Sequence, residues 1–182
     1  METGRELFIH VLNDMLDAEH QMLRMLEESA GDATRKDLQK AFSDHRAETQ
    51  HHFERLQACF ALLNEKPQMA ECHGIRGLVD EKDMFLESEP SEDLVDMFNV
   101  AGAIKAEAYE ICAYESLVQM ARQMKYKEVG RILSQILREE RAALKKMLGF
   151  ARRIKPSHWI PEEQETRGMS ETKMYRLAGR AA

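Results

Sequence analysis

The sequence predicts an all-α protein, a four-helix bundle with a long helical crossover between its second and third rods. Three observations predict it. Apolar residues recur at helical spacing in four long segments. Short breaks join the first segment to the second and the third to the fourth, as in antiparallel hairpins. The stretch between the two pairs is far longer than a bundle turn needs. Composition agrees, since 43% of the 182 residues are hydrophobic and 32% charged with only 9 Gly and 4 Pro, a balance that suits helices better than a sandwich or a disordered chain. The length suits one domain with a real core.

The first segment, about residues 5–29, sets Phe8, Leu12, Met15, Leu16, Met22, Leu23 and Leu26 on one stripe. Gly31-Asp32 breaks it, and Thr34 with Asp37 three residues on resembles a capping start. The second, about 35–64, carries Leu38, Ala41, Phe42, Leu56, Cys59, Phe60 and Leu63, and stops before Pro67. Ser91 is positioned to cap the third, about 92–124, whose stripe includes Ile104, Ile111, Tyr114 and Val118. A turn at Lys125 to Lys127 leads into the fourth, about 127–153, with Val129, Ile132, Leu133, Ile136, Leu144 and Met147, ending before Pro156. The 12 Met residues add unbranched packing material suited to helix interfaces. Residues 65–91 contain a further helix near 71–87, long enough at ~1.5 Å per residue to run most of the bundle's length, which makes the connectivity ferritin-like. Residues 1–155 thus form the bundle. The tail, 156–182, with Pro156, Trp159 and Pro161, shows no clear period and is expected to be extended or disordered, or laid across the bundle or a neighbouring subunit.

Several function classes are disfavoured. A net charge of -6 does not suggest a nucleic-acid partner. No apolar run approaches the ~20 residues that span a bilayer, and the start METGRELFIH lacks a basic segment followed by an apolar one, so a cytoplasmic protein is expected. Cys59, Cys72 and Cys112 are odd in number and scattered, which argues against a disulfide framework. Cys72-His73 is half of a zinc motif with no partner pair at zinc-site spacing.

The chemistry lies in acids placed where the stripes predict apolar residues. At ~100° per residue, Glu19 falls near the centre of the first helix's apolar face and Glu140 near that of the fourth, whereas Glu139 is rotated to the flank. The third helix offers Glu107 and Glu110. The second, in HRAETQHHFE, offers Glu48, with His45 one turn before it and His51 and His52 one turn after. Glu19 and Glu48 are nearly symmetric about the first turn, and Glu107 or Glu110 about the second from Glu140, so all four carboxylates fall near mid-bundle.

Converging carboxylates in an apolar seam would repel one another and lose hydration, a cost of several kcal/mol per ion. Three outcomes are open: some are protonated with raised pKa, water fills the seam, or divalent cations bind. A lone inward glutamate is ordinarily a solvated edge residue. Four in register, one per helix, favour metal, and oxygen and imidazole ligands at this spacing suit iron or manganese. Glu48-Thr49-Gln50-His51 matches the Glu-x-x-His pair literally, while His52 points closer to the stripe. Tyr114 reads as packing.

LFIHVLNDMLDAEHQML, AFSDHRAETQHHFERL, CHGIRGLVDE, KAEAYEICAYESL and ILREERAALKKM together resemble the YciE/YciF family of bacterial ferritin-like stress proteins over about residues 5–150. The resemblance implies a ferritin-like bundle, a homodimer, cytoplasmic and linked to stress response, with a rubrerythrin-like metal site. It brings no established substrate. Its candidate ligands fall on Glu19, Glu48, Glu107, Glu110 and Glu140, and it favours His52 over His51. Family members often carry His at the position of Ala108 and Asp at that of Leu144, so this chain departs from the pattern on its third and fourth helices. The resulting expectation is a di-metal protein, with iron preferred to manganese, handling oxygen or peroxide with electrons from an unidentified donor. Glu48 and Glu140 would bridge two ions, and Glu19, Glu107 or Glu110 and a histidine would fill terminal positions. The rivals are a non-catalytic structural or stress protein and a metal-sequestering one.

Overall fold

Thr3 starts the first rod with a reciprocal capping box. Its hydroxyl accepts from the Glu6 amide at 3.2 Å and the Glu6 carboxylate accepts from the Thr3 amide at 3.1 Å, satisfying donors that a helix start leaves free. The computed structural model describes residues 1–68 and 70–157, and among these the elements are five helices: α1 (Gly4–Asp32), α2 (Lys36–Leu62), α3 (His73–Leu86), α4 (Glu92–Gln123) and α5 (Lys127–Ala151). The four rods and the crossover helix stand where the periodicity places them. From residue 158 on, including Trp159 and Pro161, the expected tail lies outside the described residues.

Two local expectations change. Thr34 does not cap α2, because Arg35 holds the cap position without a side-chain bond. The Thr34 hydroxyl and amide instead donate to Asp96 of α4, at 2.7 and 2.9 Å, clamping the end of α1 against the start of α4. The crossover helix stands within two residues of its expected bounds, but at 14 residues, about 21 Å, it is too short to run most of the bundle's length. The rest of the span is irregular chain lying along α1: Glu65 pairs with Arg5, the Gln68 amide donates to Asn13 at 2.7 Å, and the Cys72 amide donates to Asp17 at 2.8 Å.

These contacts fix the topology. α1 and α2 form one antiparallel hairpin and α4 and α5 the other, with α1 beside α4 and α2 beside α5. α3 packs on α1 and α4 and is seated by buried Lys82, whose ammonium donates to Ser29 at 3.2 Å and pairs with Asp32 at 2.9 Å at the C-terminal end of α1, the end a cation favours.

Apolar layers fill both halves of the bundle. Phe8, Leu12, Met15, Leu56, Phe60, Leu117 and Leu133 pack toward the end where α1 begins, and Met22, Leu26, Leu38, Phe42, Val100 and Met147 toward the other. Each fully buried Leu, Phe or Met contributes about 1.5–3 kcal/mol, so two such layers offset a costly layer between them. That middle layer is polar: Glu19, His45, His52, Glu107, Glu110 and Glu140 are all buried there.

Candidate metal centre

Each long helix aims part of its stripe at the middle layer. α1 supplies Glu19, one turn from Met15 and Met22. α2 supplies His45 and His52, which are seven residues apart and so share a face after two turns. α4 supplies Glu107 and Glu110, and α5 supplies Glu140. His45 is 4% exposed, and its Nε2 lies 2.6 Å from Glu107 Oε1. His52 is fully buried, with Nε2 2.9 Å from Glu139 Oε2 and Nδ1 2.7 Å from Glu140 Oε1 and 3.6 Å from Glu19 Oε1. The Tyr114 hydroxyl, also fully buried, donates to Glu19.

Two three-residue groups hold ligand atoms within 4.8 Å of one another and share a residue: Glu19, His52 and Glu140, and His45, Glu107 and Glu140. A third, at the edge of the layer, joins Glu48, His52 and Glu139. Glu140 therefore stands at the middle of the arrangement.

The electrostatics are those of crowded acids balanced by imidazolium. Burial, reinforced by repulsion from Glu140, raises the pKa of Glu19 against the opposing pull of His52 and Tyr114. Burial and the neighbouring Glu140, Glu19 and Glu107 push Glu110 well above the usual carboxylate range. Glu140 rises to about 7, chiefly by burial, although His52 opposes the shift. Burial alone would lower the histidines, but Glu140 and Glu19 outweigh it at His52, raised to about 11, and Glu107 and Glu48 at His45, raised to about 10.

The donor set fits divalent metal. Seven of the nine buried side-chain atoms without a hydrogen-bond partner among the described residues belong to this layer: Glu19 Oε2, His45 Nδ1, His52 Nδ1, Glu107 Oε2, Glu110 Oε1 and both oxygens of Glu140. Buried polar atoms are nearly always paired, so such a concentration marks a place for a ligand. His52 Nδ1 and Glu140 Oε1 approach to 2.7 Å without the alignment of a hydrogen bond. Two donor atoms that lie close but do not address each other suit a shared third atom. Carboxylate oxygens with imidazole nitrogens are the ligands of iron, manganese or zinc.

Two expected positions move. His51 is 64% exposed and lies 3.3 Å from Glu54, on the solvent side. The Glu-x-x-His spacing is real, but it rotates His51 roughly 130° from the stripe. Glu48 does not reach the central pair of groups: its side chain is 42% exposed, 3.8 Å from His45 Nδ1. Both Glu107 and Glu110 are buried, so the third helix contributes two acids. Ala108 is exposed and points away from the layer. Glu139, expected on the flank, is half-buried and accepts from both Arg55 and His52.

Over residues 3–158 the sequence matches the family described as Domain of unknown function (DUF892). The chain belongs to the DUF892 family. As a DUF892 member it is similar to Protein YciF of Escherichia coli (strain K12), at 33% identity over 152 residues, 83% of this chain and 92% of that protein. Its fold matches the crystal structure of the E. coli stress protein YciF with a TM-score of 0.79 and 32% identity, covering 83% of this chain and 96% of that one. YcfI from Rhodopseudomonas palustris superposes with a TM-score of 0.77 and 34% identity, over 80% of this chain and 93% of that one. Among the described residues of this DUF892 chain, no helix is long and apolar enough to cross a membrane.

Proposed function

We propose that the chain is a di-metal carboxylate protein of the stress-response type, holding two divalent ions, iron in preference to manganese, and handling oxygen or peroxide. One observation carries the reading: two ligand groups from four helices meet at Glu140. Glu19, His52 and Glu140 would hold one ion and His45, Glu107 and Glu140 the other, with Glu110 beside them. The bridging role expected of a Glu48 and Glu140 pair thus rests on Glu140. Similarity to a protein described as a stress protein supports the setting.

Bound iron or manganese would supply open coordination positions for the oxidant and the electrons to reduce it. The chain's residues supply the rest. Glu139 accepts a hydrogen bond from Nε2 of His52, leaving Nδ1 to face Glu19 and Glu140, the arrangement by which a carboxylate fixes an imidazole ligand's tautomer. Tyr114 orients Glu19 through its hydroxyl. Met15, Met22 and Leu117 exclude bulk water, so charges in the layer interact strongly. Repeated turnover would draw electrons from an external donor.

Peroxide consumption by anaerobically iron-loaded protein, compared with Glu140→Ala, tests the reading. Wild type is expected to consume peroxide with a rate on the order of a hundredfold above the variant. If the two consume it alike, the layer is not catalytic. Iron bound stably without any consumption would instead identify a metal store.

A further inference from the structure

The crossover shields one side of the bundle. α3 packs on α1 and α4, whereas a surface cavity of about 310 Å³ opens between α2 and α5, lined by Asp44, His45 and Glu48 of α2 and Ala142, Ala143, Lys146 and Met147 of α5. Two of these side chains also belong to the ligand groups, His45 with Glu107 and Glu140, and Glu48 with His52 and Glu139. His45 spans the wall. Its Nε2 meets Glu107 inside, while its buried Nδ1 has no hydrogen-bond partner and faces the Glu48 carboxylate across 3.8 Å.

We propose that this α2/α5 cavity is the route by which divalent cations reach the buried layer, with Glu48 as first ligand at the mouth and His45 handing the ion inward to Glu107 and Glu140. The inference rests on the metal-binding reading above. A hydrated cation sheds water reluctantly, so stepwise replacement by a carboxylate oxygen and then an imidazole nitrogen lowers the barrier to burial. Glu48 is the anion at the mouth that faces inward, its carboxylate 3.8 Å from His45 Nδ1. Asp44 accepts from Lys40 at 2.7 Å and lies 3.8 Å from Lys146, so its charge is already countered. Lys146 is the mouth's opposing cation. The small Ala142 and Ala143 leave the α5 wall open, whereas Phe8, Leu56 and Phe60 at one end and Leu38, Phe42 and Phe150 at the other put apolar layers across the alternative approaches along the axis.

Stopped-flow uptake of Co(II) by intact metal-free protein at low salt, with an equilibrium titration of each variant, tests the route. Ala142→Phe, which plugs the cavity, is expected to slow uptake on the order of tenfold with unchanged stoichiometry. Lys146→Glu is expected to speed it on the order of tenfold, since charge at a cleft mouth governs the approach of ions. Arg76→Glu makes the same charge change on the α1/α3 side and is expected to leave the rate within about twofold, beyond the reach of screened charge. Ala142→Leu keeps the comparison standing if melting curves show the Phe variant unfolded. Uptake at the wild-type rate by the folded plugged variant overturns the route, as does equal acceleration by Arg76→Glu and Lys146→Glu, while metal binding itself survives. No Co(II) bound by wild type at equilibrium overturns the metal reading and the route together.

Discussion

His52 shows how the layer is balanced and what its imbalance should do. Its folded pKa of about 11, like the value of about 10 at His45, lies above the ordinary 6.5, so the stability these imidazoliums confer on metal-free protein is fully present below about pH 6.5 and lost as pH rises through the folded values. Glu140 acts in the same sense from 4.5 to about 7. Thermal melts of metal-free protein are therefore expected to show a lower Tm at about pH 9 than at about pH 6. Metal must displace those protons. Calorimetry in buffers of different ionisation enthalpy should detect on the order of two protons released on loading near neutrality, with affinity rising from about pH 6 to about pH 8. Glu110 gives a second test, since it is buried, its Oε1 is unpartnered and its acidity is suppressed. Glu110→Leu is expected to stabilise metal-free protein by about 1–3 kcal/mol in denaturant titrations, because an apolar side chain of similar size removes the cost of a buried polar group left without a partner. Glu19, His52 and Glu140 were legible because the apolar stripe runs through them. His51 misleads because a spacing match ignores the angle it subtends, and Glu139 escapes notice because its place comes from Arg55 and His52 on another helix.

The helices were legible almost throughout, because their stripes repeat over many turns and their breaks fall within a few residues of Gly31-Asp32, Pro67, Pro90 and Pro156, although α1 runs on through Gly31 and Asp32 themselves. What the sequence concealed was tertiary. Thr34 looks like a cap, yet its best partner is Asp96, 62 positions on. The crossover's course along α1 is set by single polar contacts with Arg5, Asn13 and Asp17 that carry no periodic signal. α3 docks closely enough to require glycine: a Cβ at Gly74 would lie 2.6 Å from Tyr109 Cζ and 2.8 Å from its hydroxyl oxygen. The Tyr109 hydroxyl donates to Asp14 at 3.1 Å and lies 3.2 Å from Cys72 Sγ, so it is not free to yield. Gly74→Ala is expected to cost about 1–3 kcal/mol, the range for overpacking a fitted contact. Amide exchange should locate that loss in α3. An unchanged exchange pattern would mean that the crossover is not seated on this contact.

Taken whole, the molecule places a charged layer between two apolar ones, and the cost of that layer makes sense if a ligand repays it. Metal that binds the folded chain alone raises its stability by mass action, so saturating Fe(II) or Mn(II) under anaerobic conditions is expected to raise Tm by several degrees in wild type and far less in Glu140→Ala. The family resemblance also implies a homodimer, for which sedimentation should give twice the 21.0 kDa mass of the chain. Elemental analysis after anaerobic iron loading and desalting addresses the shared site most directly. Two ions per chain in wild type, falling to one or none in Glu140→Ala, is the expected result. A wild type that retains no metal, or a Glu140→Ala variant that retains both ions, would contradict the convergence of two sites on Glu140.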